Sequence, residues 1–302
     1  MHHLSSDLAP NYNSPSELRA FLDTKGLGMR KKYGQNFLIN PNTRQKLLDA
    51  LEIKENDKIW EIGPGLGAMT AGLLDRGAKV NAFEIDPGFS KILTELFGEN
   101  EKFSLVEGDV LKTWPKVNTD LDMGTEISLF GNLPYNIAAI LLADFIEKKM
   151  FFKKIVVTVQ LETAMRLTAK PGTRDYSSIT VLCSSFYKPR PLMIIKPASF
   201  FPVPRVDSQG LRLDLLNKNK EMPKYFGPLL RSLFSSRRKT IQNNLISFAS
   251  SLKLKDGLLA SDAAAEVLKQ VGIVANLRAE TLAPEQFVLL AEIIGELTAN
   301  DK

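Results

Sequence analysis

Three features of this sequence predict an α/β protein with a parallel, helix-flanked sheet followed by a small all-α domain. Short apolar segments alternate with helical patterns between residues 58 and 160, a glycine-rich turn follows the first of them, and the composition shifts after Leu216. Strands separated by helices in that rhythm build parallel sheets covered on both faces.

The elements follow in chain order. "MHHLSSDLAPNYNSPSEL" is polar and reads as a frayed tail, with a short helix over 16–23 begun by Ser16. "TKGLGMRKKYGQNFLIN" is glycine-rich and basic, the mark of a loop; from Thr24 to Leu48 six residues are Lys or Arg and none is acidic. Asn40-Pro41 opens a helix through about Leu51, since Asn caps a helix and Pro suits its first turn. "DKIWEIG" is a short buried strand, Gly67 to Arg76 a helix, and "AKVNAFEID" a second strand. A helix from Pro87 to about Phe97 leads to the strands "KFSLVEGD" and "EISLFGN". A further helix, Ile137 to Lys148, precedes the fifth strand "KKIVVTVQ". "SSITVLCSSFY", "RPLMIIK" and "SQGLRLDLL" read as added strands at the far edge of what is a Rossmann-like sheet. "NKNKEMPK" resembles a linker, and helical patterns fill the rest; from Lys224 to Lys255 seven residues are basic and none acidic.

Composition narrows the chemistry. At 44% hydrophobic and 24% charged the chain is a soluble globular protein with a sizeable core. A net charge of +5 leans toward an anionic partner. The single cysteine, Cys183, lies in an apolar run and fits a reducing, cytoplasmic setting better than a nucleophile. No stretch approaches the roughly 20 apolar residues of a membrane span, and no secretory signal opens the chain. The only histidines, His2 and His3, sit in the tail, which argues against histidine catalysis and against a Cys/His metal site.

"WEIGPGLGAMT" places glycines between a strand and a helix, where backbone approaches a ligand closely. Gly63, Gly65 and Ala68 satisfy the dinucleotide pattern, so an NAD site is one reading and a bare turn another. Acids stand at successive strand ends: Glu61 before the glycines, Glu84 after the second strand, Asp109 after the third. In an open parallel sheet these ends converge on one ligand. A carboxylate at Glu84 suits a ribose diol and one at Asp109 an adenine amino group, features shared by NAD and S-adenosylmethionine. "GNLPYNIA" after the fourth strand separates the two. Asn132 and the Leu133 carbonyl can accept two N–H bonds, Pro134 stiffens the chain between them, and Tyr135 offers a ring face. Such a loop suits a planar amine whose lone pair is aimed at an electrophile, a reaction that needs alignment more than a strong base.

"KKYGQNFL", "EIGPGLGAMT", "NLPY", "RLTAKPGTRDYSSITVL", "FFPVPRVDS", "SSRRKTIQNNL" and "RAETLAPEQF" occur in order from about Leu27 to Leu290. With these motifs the chain resembles the KsgA-type ribosomal RNA adenine dimethyltransferases. The resemblance implies a Rossmann-like class I methyltransferase domain over 27–218, after a tail and short helix at 1–26, and a small helical RNA-binding domain over 219–302. It implies N6,N6-dimethylation of two adjacent adenosines in the 3′-terminal hairpin loop of 16S rRNA, within the 30S subunit, by a monomer. S-adenosylmethionine would be held by Gln35, Asn36, Leu38, Gly63, Gly65, Glu84, Ile85, Asp109, Val110 and Asn132. Tyr135 would stack on the target base, with Phe201 or its neighbour Phe200 on the other side. Arg30, Lys31, Lys32, Arg237, Arg238 and Lys239 would meet RNA phosphates.

The chain departs from that family's pattern at Leu161, Ala138 and Asn40, none of which touches the inferred chemistry. Rival readings are an Erm-type large-subunit methyltransferase, which the long C-terminal part argues against, and a non-catalytic ribosome-assembly factor on the same scaffold.

Overall fold

The computed structural model describes residues 9–29, 34–117, 126–134, 137–217, 221–255 and 257–299. By packing, the chain divides into two compact units. Met1–Asp144, Met150–Ala164 and Pro189–Leu215 make the first; Phe145–Lys149, Met165–Lys188 and Leu216–Lys302 make the second.

The first unit holds α1 (Pro15–Thr24), β1 (Phe37–Leu38), α2 (Pro41–Leu51), β2 (Lys58–Ile62), α3 (Ala68–Asp75), β3 (Lys79–Glu84), α4 (Pro87–Phe97), β4 (Phe103–Glu107), the short α5 (Val110–Thr113) and β5 (Ile127–Asn132). After α6 (Ala138–Glu147) come β6 (Lys154–Gln160), α7 (Leu161–Leu167), α8 (Ser178–Phe186), β7 (Tyr187–Ile195), β8 (Phe200–Phe201) and β9 (Ser208–Leu215). Seven strands form one sheet in the order β4-β3-β2-β5-β6-β9-β7. From β4 to β6 neighbours run parallel, and β9 pairs antiparallel with β6. The chain builds outward from β2 to β4 and then returns to lay β5 on the other side of β2. That reversal opens a crevice at the carboxyl ends of β2 and β5, the place where such sheets take ligands.

Both faces of the sheet are covered, so its central strands read as near-continuous apolar runs. Ile59, Val80, Phe130 and Val156 pack on one face with Leu47, Leu48, Leu73 and Leu93. Trp60, one residue on from Ile59, points the other way and meets Phe83 and Phe152 at 4.8 and 5.6 Å between ring centroids. Helix starts follow their caps: Asn40 accepts the Thr43 N–H at 3.0 Å and Asp86 accepts the Gly88 N–H at 2.9 Å. Asn40 therefore does at α2 what an aspartate would. The first helix starts earlier than Ser16, because Ser14 is its cap and Pro15 its first residue. The stretch expected as a loop after Thr24 contains β1, which pairs antiparallel with β8 from the "FFPVP" segment, Phe37 opposite Phe201 and Leu38 opposite Phe200.

The run "SSITVLCSSFY" is not a strand: it forms α8. Ile179, Thr180 and Val181 are β-branched and imitate a strand. The local chemistry is helical, with the Ser177 N–H donating to Thr180 Oγ1 at 3.0 Å. Ile179 through Cys183 are buried together with Ser185 and Phe186, so no one-sided apolar stripe survives to reveal the helix. It packs in the second unit with α9 (Phe226–Ser235) and α12 (Pro284–Leu297), while α10 (Ile241–Ala249) packs with α11 (Ala260–Val271). Tyr176, Phe234 and Phe287 form a file of rings there, spaced 6.0 and 5.7 Å, and the Tyr176 hydroxyl donates to the Leu282 carbonyl at 2.8 Å. Among the described residues no helix is long and apolar enough to cross a membrane.

Phe287 is fully buried at the end of that file. Phe287→Ala is expected to cost about 3–5 kcal/mol, as deletions of buried aromatic rings do. Urea unfolding followed by far-UV circular dichroism checks it; a loss under about 1 kcal/mol would mean the ring file does not hold the helices together.

Candidate active site

The turn after β2 is shaped by its glycines. Gly63 takes φ +69°, and a Cβ there would meet only open space, so the backbone itself forms a wall of the crevice. Gly65 takes φ +59°, and a Cβ there would lie 3.0 Å from the Phe37 ring. The turn thus needs glycine at Gly65 partly because β1 lies across it. A cavity opens here, lined among others by Asn36, Leu38, Glu61, Gly63, Asn132 and Tyr12.

Two carboxyl groups are buried beside the turn. Glu84, 4% exposed, accepts the Gly65 N–H at 3.1 Å with one oxygen and the Asp86 N–H at 2.8 Å with the other. Burial pushes its pKa up to about 7, against the pull of those N–H groups. Glu61, 1% exposed, accepts the Thr70 hydroxyl at 2.7 Å. Burial pushes it up to about 8; the Thr70 bond opposes this and the nearby Glu84 charge adds to it. The Gly108 N–H donates to the Glu84 carbonyl at 2.7 Å and ties the ends of β3 and β4 together. Asp109 then caps α5, accepting the Leu111 N–H at 3.1 Å, with Val110 buried behind it. Ile85 is exposed. Asp109, Val110 and Ile85 do not line the cavity under the glycine turn.

At the end of β5, Asn132 is held from two sides. Its Oδ1 accepts the Thr158 hydroxyl from β6, and its Nδ2 donates to the Asn36 carbonyl at 2.7 Å. Turning the amide over would set its oxygen against a carbonyl, so these partners fix which way it faces. The Leu133 N–H donates to the Thr158 carbonyl at 3.1 Å, fastening the next residue to the same strand. A Cβ on Gly34 would lie 3.4 Å from Pro134, so the "GQNF" turn rests on the proline. Gln35 Nε2 donates to Asp86 at 3.1 Å, linking that turn to the start of α4. Tyr135 lies outside the described residues. Phe201 ends β8 and is 8% exposed. Its ring packs among Leu18, Leu22, Leu66 and Phe89, with the Arg19 guanidinium 5.5 Å from its centroid. Phe200 is buried in the main core.

The basic residues split. Arg30, Lys31 and Lys32 lie outside the described residues. In the second unit Arg237 donates to Glu280 at 2.7 Å and to the Arg174 carbonyl at 2.9 Å, whereas Arg238 and Lys239 are exposed. Arg231, from the same acid-free stretch, pairs with Glu147.

The structure therefore brings Asn36, Leu38, Gly63, Gly65 and Asn132 to one cavity, with Glu84 bonded to its rim. Sequence reasoning missed Thr158, Phe37 and Tyr12. Nothing in the sequence marks Thr158, which acts only through β5–β6 pairing. Tyr12 had a weak signal, since it precedes "NSP", a helix start that contradicts a frayed tail.

A model of the ribosomal RNA adenine dimethylase family matches residues 26–295. Ribosomal RNA small subunit methyltransferase A of Treponema denticola is 44% identical over 95% of this chain and 97% of its own length. Among solved structures, a dimethyladenosine transferase from Plasmodium falciparum aligns with a TM-score of 0.70 at 26% identity, over 83% of this chain and 94% of its own. The 23S rRNA methyltransferase ErmE aligns at 0.59 and 23% identity, over 85% and 98%, and shows the shared fold.

The two raised carboxyl pKa values set a pH dependence. Both groups stay protonated in the folded protein to a higher pH than their ordinary 4.5, so folding takes up protons between about pH 4.5 and 8. Stability of the ligand-free protein falls as pH rises through that window. Glu61→Gln, which still accepts the Thr70 bond, should melt within a degree or so of wild type at pH 5. At pH 8.5 it should melt at least about 2 °C higher. Thermal denaturation at the two pH values checks this, and an equal shift at both would refute the assigned pKa.

Proposed function

Because the chain belongs to the ribosomal RNA adenine dimethylase family, we propose that it dimethylates N6 of two adjacent adenosines in the 3′-terminal hairpin of 16S rRNA. We take S-adenosylmethionine as the donor and the cytoplasmic 30S subunit as the substrate particle, with the enzyme acting as a monomer. The observation that carries the reading is the Asn132 amide, oriented by Thr158 and Asn36 at the mouth of a crevice built on Gly63 and Glu84.

The residues fit that donor. Glu84 presents a carboxylate at the end of β3 for the ribose hydroxyls, and Asp109 stands one strand further out for the adenine. Gly63, with no side chain, lets the cofactor lie on the turn. S-adenosylmethionine supplies a methyl group on a positively charged sulfur, already activated for transfer.

What this chain contributes is alignment. The Asn132 oxygen keeps a lone pair beyond the one used by Thr158, and with the Leu133 carbonyl it can accept both N6–H groups of a flipped-out adenine. Those bonds pull the amine nitrogen out of conjugation with its ring and aim its lone pair into the crevice. The proton lost after each transfer can pass along the same acceptors to water. No histidine is needed, and the only two lie at His2 and His3. Holding reactants at attack distance accounts for large rate effects without a strong base.

Labelled methyl transfer to 30S subunits lacking the modification, with the products mapped, tests the reading. Two dimethyladenosines in the 3′-terminal hairpin are expected, whereas label on 23S rRNA alone would assign the chain to the ErmE type of activity. Asn132→Ala should lower kcat at least about a hundredfold with the fold intact. Thr158→Val should lower kcat about tenfold while leaving cofactor affinity nearly unchanged, because it frees the amide without touching the cavity. A Thr158→Val enzyme with wild-type kcat would remove Thr158 from the account.

A further inference from the structure

We propose that Tyr12 holds the amino-acid end of the cofactor, carried there by an arm formed by residues 10–24. The inference rests on the reading of the crevice as a site for S-adenosylmethionine and adds a residue to it. Glu84 and Asp109 stand at the ends of β3 and β4, so the nucleoside lies on that side of β2. The methyl group must face Asn132 at the end of β5. What remains of the molecule, its α-amino acid, has to enter the cavity under the glycine turn, which Asn36, Glu61, Gly63, Gly65 and Asn132 line and the adenosine-side residues Glu84, Ile85 and Asp109 do not.

Tyr12 lines that cavity as well. Its hydroxyl donates to the Leu66 carbonyl at 3.0 Å, which commits the one hydrogen and leaves the oxygen lone pairs as acceptors. An acceptor there suits an α-ammonium group. Burial pushes the phenol pKa up, so the hydroxyl keeps its proton and the Leu66 bond.

The arm is fastened at several points. Leu18 and Leu22 are buried with Leu66, Phe89 and Ile92. The Ser14 hydroxyl accepts the Glu17 N–H at 3.3 Å and caps α1. Arg44 Nη1 donates to the Leu38 carbonyl at 2.8 Å and to the Tyr12 carbonyl at 3.4 Å, and its Nη2 donates to Asn13. One guanidinium thus joins the arm to the "QNFL" segment that bears Asn36 and Leu38.

The test compares S-adenosylhomocysteine, which carries the amino-acid group, with 5′-methylthioadenosine, which lacks it. Titration calorimetry is run on full-length wild type, Tyr12→Phe and Tyr12→Ala. Tyr12→Ala should weaken S-adenosylhomocysteine about tenfold or more and leave methylthioadenosine within about twofold. Tyr12→Phe, which keeps the packed ring, should show a smaller loss confined to the same ligand. Equal losses for both ligands would make Tyr12 a structural residue, and unchanged or tighter binding would make it a bystander or a plug; each overturns the proposal. Wild-type protein that binds neither ligand would instead overturn the cofactor reading, and this assignment with it.

Discussion

The site depends on one side-chain amide that is not free to turn. Asn132 sits where β5 ends, and its two polar atoms are taken by partners that demand opposite things, a hydroxyl donor on β6 and a backbone carbonyl from the segment before β1. Neither partner is close to it in sequence. The parallel pairing of β5 with β6, which sets Asn132 beside Thr158, is what brings the first. The resting of Gly34 on Pro134 and of Phe37 on Gly65 brings the second. An acceptor aimed in advance costs no reorganisation when the base arrives, which is how a polar site accelerates a reaction with no strong acid or base.

The same crevice concentrates carboxyl groups where water is scarce. Glu61 and Glu84 are nearly inaccessible, and each is supported by N–H or O–H donors rather than by a cation. Two such groups side by side resist ionising together. A cationic ligand with hydroxyl donors relieves both the desolvation and the repulsion. The unliganded site therefore stores an electrostatic cost that binding of the right ligand releases.

Much of this was legible from local signals. The strands of the parallel sheet, the glycine turn and the acids at strand ends are set by residues a few positions apart, and periodicity and capping chemistry expose them. The misreadings share one cause, dependence on distant partners. Helix α8 looked like a strand because its companions in the second unit bury it nearly all round and erase its stripe. Nothing near Phe201 in the sequence shows that Leu18, Leu22 and Arg19 surround it. The stretch from Lys224 to Lys255 looked uniformly cationic, although Glu147 and Glu280, remote in sequence, meet Arg231 and Arg237. Thr158 matters only because two strands lie side by side, and no residue near it says so.

The two-residue ladder between β1 and β8 bears on how the protein comes to exist. Phe37 and Phe201 are far apart along the chain, and their pairing encloses most of the sheet within one long loop. Contacts of such high order form late, after the entropy of closing the loop has been overcome. During vectorial synthesis the "QNFL" segment waits with its β-edge open until the "FFPVP" segment has left the exit tunnel. The crevice therefore takes its final form only after residue 201 has emerged, so a truncated translation product ending before residue 200 lacks the strand that pairs with the "QNFL" segment.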